Sequence, residues 1–104
     1  MKYKLNIVER IGILSIIPKE GNFATLKISR DLQATMGFSE EEYKKWGIKS
    51  EGTMTSWKQN VDTSVDKDIG EKASDIIIDA LKKLDEQKKL KPELFSLYEK
   101  FVEK

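Results

Sequence analysis

The sequence predicts an α+β fold: one mainly helical domain over residues 1–104, with about five helices and one two-stranded antiparallel hairpin. Three observations carry this. Capping signals, an acceptor side chain followed three residues later by Glu, stand at Asn6, Ser39 and Asp68, each ahead of a stretch with helical signals. Apolar residues recur at helical spacing over 73–84 and 94–102. Between these segments the chain switches to period-two alternation rich in Thr and Val.

The first helix runs from Ile7 to about Ile17, capped by Asn6 with Glu9 and stopped by Pro18. At about 100° per residue, Ile7, Ile11 and Leu14 share one face, while Ile13, Ile16 and Ile17 take the other side. A helix apolar all round is buried on more than one side. The competing sign is the alternation of Tyr3, Leu5 and Ile7, which favours a strand. After a loop at Pro18, Gly21 and Asn22, a second helix covers about Thr25 to Met36, with Gly37 placed for a left-handed end. Ser39-Glu40-Glu41-Glu42 opens a short third helix, which sets three acids at the favourable end of its dipole. Its Tyr43 and Trp46 are expected in the core, and Gly47 ends it.

Thr53, Thr55 and Trp57 alternate along one expected strand, and Val61, Thr63, Val65, Lys67 and Ile69 along its partner, with Gln59-Asn60 between them. Asp68 with Glu71 then opens the longest helix, about Ile69 to Lys88, striped by Ala73, Ile76, Ile77, Ala80, Leu81 and Leu84. Pro92 suits the first turn of a last helix, striped by Leu94, Leu97, Tyr98, Phe101 and Val102.

Composition narrows the function. A chain of 104 residues buries roughly two-thirds of its unfolded surface, enough for a core but leaving apolar surface for a partner to close. Cys and His are both absent, which removes disulfides, thiolate chemistry and the commonest general base and metal ligand. Eight serines have no histidine to activate them, and no phosphate-cradling glycine loop is present. Asp62, Asp66 and Asp68 fail the calcium-loop spacing in both registers. Neither an enzyme nor a cofactor is therefore expected. No apolar run spans a membrane and no signal peptide stands at the N-terminus, so the expected setting is cytoplasmic.

Net charge is +1, yet it is unevenly spread. Residues 1–30 hold six basic side chains against two acids, and residues 62–79 hold six acids against two lysines, so these regions can attract one another within the fold or between chains. Two apolar residues fit no stripe well: Ile78, about 140° from Ala73 around its helix, and Phe95. They are the candidate contacts for a protein partner, either another protein or a second copy in a homodimer. The alternative is a winged helix-turn-helix regulator, with the third helix in the major groove and Lys44, Lys45 and Lys58 near phosphate. Against it, Glu40, Glu41 and Glu42 occupy the turn that would meet DNA, and only two of 19 basic residues are arginine.

The strings Glu9-Arg10, Pro18-Lys19-Glu20-Gly21-Asn22-Phe23, Thr25-Leu26-Lys27-Ile28 and Phe38-Ser39-Glu40-Glu41-Glu42, with Leu97-Tyr98-Glu99-Lys100-Phe101, resemble small uncharacterised accessory proteins of phages and prophages. The resemblance implies a virus-related accessory role in a bacterial or archaeal cell. Its motifs are packing and capping motifs, and they bring no active site.

Overall fold

The computed structural model describes residues 2–52 and 54–103. Its elements run β1 (Lys2–Leu5), α1 (Ile7–Ile16), α2 (Phe23–Met36), α3 (Glu40–Trp46), β2 (Lys49–Glu51), β3 (Met54–Ser56), β4 (Val65–Asp68), α4 (Glu71–Glu86), a 3-10 turn (Pro92–Leu94) and α5 (Phe95–Phe101). The architecture is the expected α+β, with the radius of gyration, 13.8 Å, of a compact chain this long.

Helix α1 is the central element. Asn6 and Glu9 form the expected capping box, and Thr63 Oγ1 accepts a third donor of its first turn, the Ile7 N–H, at 3.2 Å. Ile13, Ile16 and Ile17 pack into the main core with Leu32 and Met36 of α2, Ile77 and Leu81 of α4, and Leu97 and Phe101 of α5. Ile7 and Ile11 pack instead into a smaller cluster around Trp46, Ile48 and Trp57. Leu14, expected on the face of Ile7 and Ile11, packs against the main core instead, and the helix still serves two clusters, as an all-round apolar helix requires.

The strands differ from expectation. The hairpin is β2 with β3, in the register Ser50↔Thr55, and not 53–57 with 61–69; Thr53 itself lies outside the described residues. Gly52, at φ +60°, takes the left-handed conformation that this tight turn needs. β4 crosses back to pair antiparallel with β1, where Tyr3 and Leu5 supply the buried positions. The register sets Lys2 opposite Asp68 and Lys4 opposite Asp66, so the basic N-terminal and acidic middle regions meet within the fold. Opposite charges so placed contribute about 0.2–1 kcal/mol per pair. Tyr3 stacks on Phe101 at 4.1 Å, joining the two ends of the chain.

Four local expectations are corrected. Gly37 is extended (φ −65°, ψ 164°) rather than left-handed, because its carbonyl turns toward Arg10. Asp68 does not cap α4: it belongs to β4, and Gly70 precedes the helix with no side-chain capping bond. Tyr43 is 43% exposed and lies edge-on against Phe38, whereas Trp46 is buried as expected. Helix α2 also starts earlier than expected, at Phe23, because Asn22 caps it through the Thr25 N–H.

A candidate docking trough on the central helix

The charged residues of α1 show how firmly it is held. Arg10 is fully buried. Its Nη1 donates to Glu42 Oε2 at 2.8 Å and its Nη2 to Glu42 Oε1 at 3.1 Å; Nε donates to the Met36 carbonyl at 3.1 Å, and Nη2 also to that of Gly37. The Phe38 ring lies 4.3 Å from the guanidinium carbon. Glu42 simultaneously accepts the Ser39 N–H in the α3 capping box. The guanidinium beside it holds its carboxyl down at about 2, and the Ser39 N–H adds to this against the opposing effect of burial. Glu9, also buried, accepts from the Asn6 N–H at 3.0 Å and lies 2.8 Å from Lys100 Nζ through each oxygen, Oε2 having only that ion pair.

One strip of α1 is only partly covered. Val8 and Ser15 are exposed and Ile11 and Ile16 half-buried, at the spacing of a single helix face. A cavity of about 520 Å³ lies over its N-terminal part, walled by Trp57 and Thr55 on the hairpin side and by Leu94 and Leu84 on the other. A second, of about 540 Å³, continues past Pro18 along α4 and shares Ser15, Ile16 and Leu84 with the first. Together they form one trough with a mostly apolar floor. Gly12 sets the depth of one wall: a Cβ there would come within 2.9 Å of Leu94 Cδ2 and Leu97 Cδ1, so a larger residue would push these two leucines outward. Lys89, Lys91 and Glu93 stand along the rim. Ser15 Oγ donates to the Gly12 carbonyl at 2.7 Å, which turns its proton into the helix. The trough therefore offers apolar area and rim charges rather than an activated nucleophile.

The structure separates the candidate residues. Phe95, 62% exposed, directly follows Leu94, which lines the trough. Ile78 is half-buried against the main core, away from the trough. Lys44 and Lys45 are exposed on the last turn of α3, and the Lys58 chain packs alongside Gly47. The hairpin does follow α3, but Glu40 and Glu41 are exposed on the leading turn and only Glu42 is drawn inward, by Arg10. The trough itself escaped the sequence reading. Its signal was Ser15, an exposed polar residue in an otherwise apolar stretch.

Among the described residues no helix is long and apolar enough to cross a membrane. Comparison with family models, with curated proteins and with solved structures finds no match to this chain.

Proposed function

We propose that this chain is a non-enzymatic protein-binding module that docks through the trough on α1. The observation that supports it is the half-open strip of exposed Val8 and Ser15 with half-buried Ile11 and Ile16, on a helix whose other faces are packed, down to two buried charges. Exposed apolar surface of this kind, rimmed by charge, is the form of a protein contact site. A photo-reactive side chain placed at Ser15 tests it, with one at Glu41 as control. The expected result is a single defined adduct from Ser15 that disappears with Val8→Asp, at unchanged melting temperature. The same adducts from both positions, or none from Ser15, overturn the proposal.

A second reading, a winged helix-turn-helix, has one observation in its favour: the order α2, α3, hairpin, with Lys44, Lys45 and Lys58 accessible. It requires binding to duplex DNA that falls steeply with salt and drops with Lys44→Glu and Lys45→Glu. A flat fluorescence-anisotropy titration at low salt removes it.

A further inference from the structure

We infer that the occupant of the trough is a second copy of this chain, docked about a two-fold axis so that Phe95 of each copy enters the trough of the other. This rests on the trough being a docking surface, and it adds what fills it. A two-fold interface uses the same patch on both partners, so the patch must complement itself. Here knob and hole are neighbours: Leu94 walls the trough, and Phe95, the next residue, projects into solvent. The rim is self-complementary in charge as well. Lys89, Lys91 and Glu93 are exposed, and among the described residues none of them makes an ion pair within the chain. A two-fold axis between knob and hole brings Glu93 of each copy toward Lys89 and Lys91 of the other. A net charge of +1 leaves little repulsion between copies.

Sedimentation equilibrium on the intact protein from about 1 to about 100 μM decides it. The expected result is the mass of two chains. Phe95→Asp should raise the dimer dissociation constant about 100-fold or more, as loss of a buried aromatic anchor does. Phe95 is exposed in the single chain, so the variant should keep the far-UV circular dichroism of the parent. Glu93→Lys alone and the Lys89→Glu/Lys91→Glu pair alone should each give single chains. Mixing these two variants should restore the two-chain mass, because each half of the interface then carries opposite charges. A single-chain mass at every concentration, a dimer indifferent to Phe95→Asp, or no restoration on mixing overturns the inference. If the protein is monomeric while the Ser15 probe still marks one different protein, the second copy is excluded and the docking surface stands. If the probe marks nothing, both fall.

Discussion

Two adjacent residues of α1 fasten two distant segments of the chain by different means. Arg10 holds the α2–α3 junction with four acceptors and an aromatic face, wholly inside the protein. Glu9 holds α5 through one ammonium, on a lysine side chain that is 39% exposed. The first tether is a satisfied buried network, in which losing one member strands the others. The second is a buried acceptor with a solvated donor, and water can replace part of what a mutation removes. A buried ion pair is therefore judged by the acceptors left behind when one partner goes, more than by the distance between its charges.

Removing the stronger tether should have the largest effect. Arg10→Met keeps a similar stem but strands Glu42 and two carbonyls, and should lower the unfolding free energy by about 3–5 kcal/mol. Urea denaturation measures this, and a loss under 1 kcal/mol would show that water already satisfies the junction. Lys100→Met should cost less, about 1–3 kcal/mol, because Glu9 keeps the Asn6 N–H and the α1 cap. An equal loss in the two variants would remove the distinction drawn above. The mildest perturbation is acid. The carboxyl of Glu42 is lowered from its ordinary 4.5 to about 2, so its stabilisation is complete above 4.5 and is lost as pH falls from there toward 2. The parent should therefore lose more stability over that window than Glu42→Gln, and matching pH curves would show that the pair does not stabilise the fold.

Much of the helical layer was legible because its signals are local. The capping boxes at Asn6 and Ser39, the turn at Gly47 and the stripes of α4 and α5 all lie within a few residues of the structure they specify. The pairing of β1 with β4 was not legible, because about sixty residues separate the partners and alternation shows a strand without naming its neighbour. Asp68 shows the conflict directly: its spacing to Glu71 reads as a cap, but its backbone is committed to the ladder opposite Lys2. Glu9 and Arg10 had a readable signal, two charges within an apolar helix, which burial requires to be paired; their partners Lys100 and Glu42 lie too far along the chain to be named. Of the two off-stripe residues, Phe95 reached the surface, one residue beyond Leu94 of the trough wall. Ile78 found a neighbour within its own chain, because α4 has a second side to cover.

The contact between Tyr3 and Phe101 makes the backbone a ring in all but one covalent link. Where the molecule is cut open is then separable from how it packs. A chain whose two ends are joined by a flexible linker and that is reopened at the exposed Gly52 turn would keep every strand pairing and both apolar clusters. It would also free the sequence order from the architecture that this order happens to trace.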